Sequence, residues 1–371
     1  MHIRFLTSKT HVHAYTHYHS ISFKKKSIIS KNMNPSTMKQ TQIIEEEELK
    51  ELKKSLPKTS FMGCEQIQLL KYENFWCGEM YIQNILMLQR NFIAQDTDLL
   101  IASLPKTGTT WLKSLLFSVV NRMKYSMNNK TPLLNNHPHD LVHSLEPLYG
   151  EAFEYPRPHH LDQLPSPRLF STHLSYTSLP QSIKTSECRI LYICRNPLDM
   201  LVSLYYFSID FMKKQLGEEF KPPSMEYFFE DFCQGKHPCG PFFEQAVEYW
   251  KVSLEKPNKV LFLKYEDLKD DPSLYLKKLA EFIGKPFSIK EESEGVVQEM
   301  IELCSIKTMK GLEANSGGEA INRFYGKNSF FRKGEVGDWT NHFTPTMLEK
   351  MNKLMEQKLK GTGLSFKLLP S

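Results

Sequence analysis

Short apolar runs of strand length alternate along this chain with longer stretches whose apolar residues recur every three or four positions. The runs are Leu99–Leu104, Arg168–Thr172, Arg189–Cys194 and Val260–Tyr265. Near-continuous apolar character over so few residues suits a strand covered on both faces. The helical stretches are Met80–Phe92, Trp111–Val120, Pro197–Lys214, Phe242–Glu255 and Leu274–Ile283. In the first of them Tyr81, Ile85, Leu88 and Phe92 line a single stripe. Glu45–Ser55 reads as an exposed helix closed by Pro57, and Tyr72–Trp76 as an aromatic cluster. Residues 125–168, rich in Pro, His and Asn, read as long loops with short helices. Strands alternating with helices predict an α/β fold with a mainly parallel central sheet flanked by helices. There is no internal repeat and no second core, so residues 45–371 are expected to form one domain.

The junction between the first run and the second helix carries chemistry: Pro105-Lys106-Thr107-Gly108-Thr109-Thr110-Trp111. A strand, a tight turn with glycine and hydroxyl residues, and then a helix N-terminus build a phosphate cradle. The first backbone N–H groups of a helix lack partners inside it, and the helix dipole there favours an anion. Gly108 permits the sharp turn, the hydroxyls of Thr107, Thr109 and Thr110 add donors, and Lys106 adds a mobile charge. A nucleoside-triphosphate loop places its lysine after the glycines, whereas here it precedes the only glycine. Taken alone, the segment also fits an ordinary threonine-capped turn. Other strand ends add candidates of the same kind. Arg195 follows Arg189–Cys194, with Ser203 about two helical turns on, a pair suited to a second phosphate. His173 follows Arg168–Thr172. Arg332-Lys333-Gly334 sets two cations before a glycine. A surface arginine, a structural histidine and a solvated basic turn are the bland readings of these three.

Charge changes the picture of the first residues. Residues 1–44 contain no Asp or Glu but carry Arg4, Lys9, Lys24, Lys25, Lys26, Lys31 and Lys39, with His2, His11, His13, His17 and His19. Those seven cations exceed the whole chain's net charge of +5, so the remainder is slightly acidic and not a nucleic-acid surface by charge. The leader is read as disordered, with a natural start at Met33 or Met38; an organelle transit peptide is the alternative. No apolar run reaches the roughly 20 residues of a membrane span. Seven cysteines without C-x-x-C spacing point to a reducing compartment, hence a cytoplasmic location, and make Cys233 and Cys239 structural thiols. His137, His139 and His143 could suggest zinc, but His-Pro-His does not converge easily on one ion, and no metal is expected.

Three motifs in order then carry a resemblance. Pro105–Leu112, Cys194–Tyr206 and Arg332–Phe343 are similar to the three signatures of the cytosolic, PAPS-dependent sulfotransferases (PAPS, 3′-phosphoadenylyl sulfate), and the likeness covers residues 60–350. Ser171-Thr172-His173-Leu174 and Asn136–Val142 resemble the plant branch; animal members usually have lysine where Ser171 stands. The resemblance implies sulfuryl transfer from PAPS to a hydroxyl of a small acceptor. It implies Lys106, Thr107, Gly108, Thr109 and Thr110 at the 5′-phosphate and Trp111 on the adenine. It places Arg195, Ser203, Arg332, Lys333 and Gly334 at the 3′-phosphate, with Tyr265 and Ser305 nearby; Ile306 departs from the usual Phe. It makes His173 the general base and Lys106 the group that stabilises the leaving phosphate. Phe75, Trp76, Tyr149, Phe153 and Tyr176 would wall an apolar acceptor pocket suited to phenols, flavonoids, steroids, hydroxylated lipids such as a jasmonate, or a desulfoglucosinolate. Lys310–Asn328 resembles a mobile lid. The animal pairing motif K-x-x-x-T-V-x-x-x-E is missing after Asp338, so a monomer or weak dimer is expected. A nucleotide kinase and a non-catalytic nucleotide-binding protein are the rival readings.

Overall fold

The computed structural model describes residues 46–125, 131–149, 159–316, 320–322 and 325–369, so the basic leader and Phe153 lie outside the described residues. A helix α1 over 46–55 precedes an antiparallel sheet of β1 (Lys58–Phe61), β2 (Cys64–Tyr72) and β3 (Phe75–Gly78). Sequence patterning does not anticipate this sheet. Its β2–β3 turn is Glu73-Asn74, with φ of 43° and 72°. Positive φ at both positions is type I′ geometry, but Glu lacks the usual signature residue there. The aromatics Tyr72, Phe75 and Trp76 therefore belong to a buried hairpin.

The chain continues through α2 (Tyr81–Asn91), β4 (Leu99–Ser103), α3 (Thr109–Asn121), α4 (Pro138–Leu141), β5 (His143–Ser144), α5 (Leu145–Leu148), β6 (Leu169–Thr172) and β7 (Arg189–Cys194). Then come α6 (Pro197–Leu216), α7 (Met225–Cys233), α8 (Phe242–Glu255), β8 (Val260–Lys264), α9 (Tyr265–Asp270), α10 (Pro272–Phe282), α11 (Val296–Leu303), α12 (Ile306–Gly311) and α13 (Pro345–Leu359). The central sheet has the order β5-β6-β4-β7-β8 and every pairing in it is parallel. The period of two splits each strand between two core layers. Leu99 and Ile101 join Leu191, Ile193 and Leu263 under α3, α9, α10 and α11. Leu100 and Ala102 join Phe170, Ile190 and Tyr192 under α2, α6, α7 and α8. Both faces are covered, which explains why the strands read as unbroken apolar runs.

Strand β4 is central, with β6 on one side and β7 on the other. Its carboxyl end is thus a topological switch point, where open α/β sheets leave a crevice. At the opposite end of β4, Arg168 Nε donates to Asp98 Oδ1 at 2.8 Å and Nη2 to Oδ2 at 2.5 Å. Nη2 also donates to the Ile93 carbonyl at 3.0 Å, and Gln95 N–H donates to Asp98 Oδ2 at 2.8 Å. Both partners of this buried pair thus make further hydrogen bonds beyond those to each other.

Candidate active site

The loop between β4 and α3 turns through two residues in the left-handed region, Lys106 at φ 68° and Gly108 at φ 109°. Lysine adopts that region only at a cost of order 1–3 kcal/mol, which the packed elements on either side must offset. Glycine is required at 108: a Cβ there would lie 2.7 Å from Tyr265 Cδ2 and 3.0 Å from Ile193 Cδ1. The three threonines do not act alike, contrary to the expectation of three free hydroxyl donors. Thr107 is buried and its Oγ1 lies 2.8 Å from the Leu104 carbonyl and 3.0 Å from the Ile193 carbonyl. Thr109 Oγ1 pairs with Ser103 Oγ at 2.7 Å. Only Thr110 leans outward, with Oγ1 3.1 Å from His139 Nε2.

Beside this loop is a cavity of about 100 Å³ lined by Lys106, Gly108, Thr109, Thr110, Trp111, His173, Arg195, Ser203, Tyr265, Arg332 and Gly334, together with residues discussed below. Strand ends and loops far apart in sequence thus converge. Tyr265 Oη donates to the Gly334 carbonyl at 2.9 Å and its ring meets Trp111 edge-on at 5.5 Å. Gly334, at φ 69°, lies so close to Ile306 that a Cβ would fall 1.9 Å from Ile306 Cδ1.

His173 is set by its backbone surroundings. Its Nδ1 lies 2.7 Å from the Ser103 carbonyl, an acceptor only, so Nδ1 carries the proton and Nε2 the lone pair. Glu146 Oε1 accepts from the His173 backbone N–H at 2.6 Å and from the Thr172 hydroxyl at 2.8 Å. Gln245 Nε2 donates to the His173 carbonyl at 2.9 Å. Burial, opposed by the Glu146 carboxylate and the Ser103 bond, holds the imidazole below its ordinary 6.5. The ring is therefore neutral near pH 7, as a base must be.

Cations crowd the cavity. Lys106 Nζ donates to the Ser329 carbonyl at 3.2 Å and lies 4.2 Å from the Phe207 ring centre. Among the described residues it makes no ion pair. Burial first, then repulsion from Arg332 and Arg195, push it down to about 7. Arg195 lies 3.6 Å from Asp199 and donates to the Glu335 carbonyl, while its Nε is buried without a hydrogen-bond partner. Arg332 Nη1 and Lys333 Nζ both reach Asp338 at 2.6 Å, and Arg332 Nε is likewise buried and unpartnered. Concentrated, incompletely neutralised positive charge with N–H donors left over fits a polyanionic ligand.

Not every expected residue reaches the cavity. Thr107 is turned away, Lys333 points to Asp338, and Ser305 caps α12 by accepting from Thr308 N–H at 3.1 Å. Phe75, Trp76 and Tyr149 are buried in the core, and with Tyr176, which packs on Tyr249, none of them lines this cavity; aromatic packing beneath the sheet took them. Other residues were missed. Phe207 shares a helix face with Ser203, four residues before it, and could have been found by that spacing. Phe330, Phe331 and Met309 arrive only through tertiary folding. Lys113 is a lysine inside an otherwise apolar helix, a visible anomaly. It is fully buried, with Nζ 3.0 Å from His139 Nδ1, 2.9 Å from the Val142 carbonyl and 3.2 Å from Ser144 Oγ. Ser171, expected to leave a cation missing, touches Ser144 Oγ at 3.2 Å and so joins the Lys113 network. Among the described residues no group of three or more His, Cys, Asp or Glu side chains could hold a metal ion.

Comparison with known proteins places the chain in a family. The sulfotransferase domain family matches residues 96–363, and the chain belongs to the sulfotransferase family. It is a sulfuryl-group transferase. Cytosolic sulfotransferase 8 of Arabidopsis thaliana is 44% identical over 321 residues, covering 86% of this chain and 93% of that one. Flavonol 3-sulfotransferase of Flaveria bidentis is 40% identical over 329 residues, covering 86% and 100%. The solved structure of a mouse sulfotransferase complexed with PAP matches with a TM-score of 0.62 at 27% identity, over 79% of this chain and 95% of that one. Among the described residues no helix is long and apolar enough to cross a membrane.

Proposed function

We propose that this chain transfers the sulfuryl group of PAPS to a hydroxyl of a small phenolic, steroid or hydroxylated-lipid acceptor in the cytosol, using residues 45–371 as one catalytic domain. The PAP bound by the mouse relative is this donor without its sulfuryl group, and the flavonol relative supports a phenolic acceptor. When bound, PAPS supplies the electrophilic sulfur and a bisphosphate leaving group. The backbone N–H groups of Lys106–Thr110, with the Thr110 hydroxyl, would hold the 5′-phosphate, and Trp111 and Ile306, which both line the cavity, would supply apolar surface to the base. Arg195, Ser203 and Arg332 would hold the 3′-phosphate, and the buried Nε of each arginine has no hydrogen-bond partner among the described residues. Lys333 adds charge from behind Asp338, and Tyr265 fixes Gly334 at the edge of the site.

The observation that carries the reading is the His173 tautomer. With its Nδ1 hydrogen given to the Ser103 carbonyl, Nε2 is left as an acceptor in the cavity that Lys106 also lines. Nε2 takes the acceptor's proton as its oxygen attacks, and the Lys106 ammonium balances charge building on the departing phosphate oxygen. Positioning and electrostatics then supply most of the rate, as in phosphoryl transfer. The test is to incubate the protein with labelled PAPS and a panel of flavonols, steroids and hydroxylated fatty-acid derivatives. Label on one acceptor class supports the reading. Label transfer only from ATP with magnesium, or no nucleotide binding, overturns it.

A further inference from the structure

The segment Asn136-His137-Pro138-His139, which read as loop structure, brings His139 into the cavity wall. Its ring bridges two groups: Nδ1 lies 3.0 Å from Lys113 Nζ and Nε2 lies 3.1 Å from Thr110 Oγ1. Below about pH 7 Lys113 is an ammonium, with hydrogens and no lone pair, so Nδ1 must accept there. Lys113 also donates to the Val142 carbonyl and to Ser144 Oγ, so its three hydrogens meet three acceptors. A neutral ring that accepts at Nδ1 carries its own proton on Nε2, the tautomer opposite to that of His173, and donates to Thr110 Oγ1. Burial, with the Lys113 charge beside it, keeps His139 neutral. The Thr110 hydroxyl hydrogen cannot then point at His139 and is left to the cavity that Thr110 lines.

We propose that Lys113 and His139 are positioning residues that fix the polarity of the chain Lys113→His139→Thr110, so that Thr110 presents a hydrogen to the anion in the loop. The inference rests on the PAPS reading of the cavity and adds to it the groups that aim one of the donors. Burying an ammonium whose direct partners include no carboxylate is unfavourable, and an apolar residue at position 113 would serve stability alone better. The other branch from Lys113 runs through Ser144 Oγ to Ser171 Oγ at 3.2 Å and does not reach the cavity lining. Only the His139 branch delivers orientation to the site.

The test is calorimetric binding of PAP and of adenosine 3′-phosphate, which lacks the 5′-phosphate that Thr110 would meet. His139→Leu and Thr110→Val should each weaken PAP roughly tenfold and leave adenosine 3′-phosphate within about twofold. The double variant should be no weaker than Thr110→Val alone, because the two act through one bond. His139→Gln, whose amide can accept from Lys113 and donate to Thr110, should restore most of the loss. Equal losses for both ligands, additive losses in the double variant, or no rescue by glutamine would overturn the proposal while leaving the donor reading intact. Failure of the unaltered protein to bind PAP would overturn both. Nitrogen NMR of the unaltered protein at pH 6, where Lys113 is charged, gives a reading independent of variant folding: a proton on His139 Nε2 with Nδ1 bare supports the chain, and the reverse tautomer sinks it.

Discussion

The two ends of the central sheet both bury charge, and they do so in opposite ways. At the amino end, Arg168 and Asp98 meet through two parallel hydrogen bonds, and further bonds to Ile93 and Gln95 complete both groups. At the carboxyl end, Lys106, Arg195 and Arg332 line one cavity. The carboxylates near them are divided among several donors: Asp199, 3.6 Å from Arg195, also accepts from the Gly337 and Trp339 N–H groups, and Asp338 is shared between Arg332 and Lys333. Among the described residues Lys106 has as partners a carbonyl and two aromatic rings. A buried pair whose partners satisfy each other is costly to break from one side; a buried cation cluster left incomplete has charge to offer an anion from outside.

The contrast breaks most visibly in turnover. Lys106→Ala and His173→Ala should each lower kcat by about a thousandfold, while circular dichroism and thermal melting show a folded protein. A folded His173→Ala protein with substantial activity would remove the base assignment. Asp98→Asn should do the reverse. Leaving Arg168 buried without its anion is expected to remove about 3–5 kcal/mol of stability, read by urea unfolding, with kcat/KM of the folded protein little changed. If its kcat/KM fell as far as that of Lys106→Ala, the two ends would not be separable. Gly108→Ala should be intermediate, because the φ of 109° and the approach to Tyr265 move the loop. PAP affinity is expected to fall about tenfold, with a stability loss of about 1–3 kcal/mol.

Acidity gives the smallest and sharpest test. Burial lowers both Lys106 and Lys113 from 10.5 to about 7 in the folded protein. Below pH 7 both are protonated whether the chain is folded or not. Between pH 7 and 10.5 the unfolded chain binds protons that the folded one lacks, so the melting temperature of the ligand-free protein should rise across that window. A bound bisphosphate restores the charge on Lys106, so PAP binding near pH 7.5 should take up protons. Calorimetry in buffers of different ionisation enthalpy reads that uptake, and Lys106→Met should abolish most of it. The acid limb of kcat, set by His173, should fall below pH 6.5.

Much of this was legible in the chain. The four long parallel strands lie within a residue of where apolar runs predict them, since strands buried on both faces have to be apolar throughout. The strand–turn–helix junction at Lys106–Thr110 was legible because a strand, a glycine with positive φ and a helix N-terminus are all local. The hairpin at Lys58–Gly78 was not, as its Glu73-Asn74 turn lacks a signature and its strands lack clean alternation. Thr107, Thr109 and Thr110 look equivalent in sequence. They differ because the β7 carbonyl of Ile193 and the β4 hydroxyl of Ser103 claim the first two. Phe75, Trp76 and Tyr149 are buried in the fold and do not line the cavity beside Lys106, because a large aromatic ring is placed by whichever surface covers it.

The sequence alone determined the alternation of strands and helices, the glycine turn between β4 and α3 and the residue types able to take a proton and hold anions. Each of these follows from spacing or from what one side chain can do. The tertiary structure decided which lone pair each histidine presents, which cations remain unneutralised and which hydroxyl faces the cavity. Those choices depend on the backbone carbonyls and charges that long-range folding brings alongside, and such neighbours, as Ser103 is to His173 and Lys113 to His139, are not adjacent in the chain.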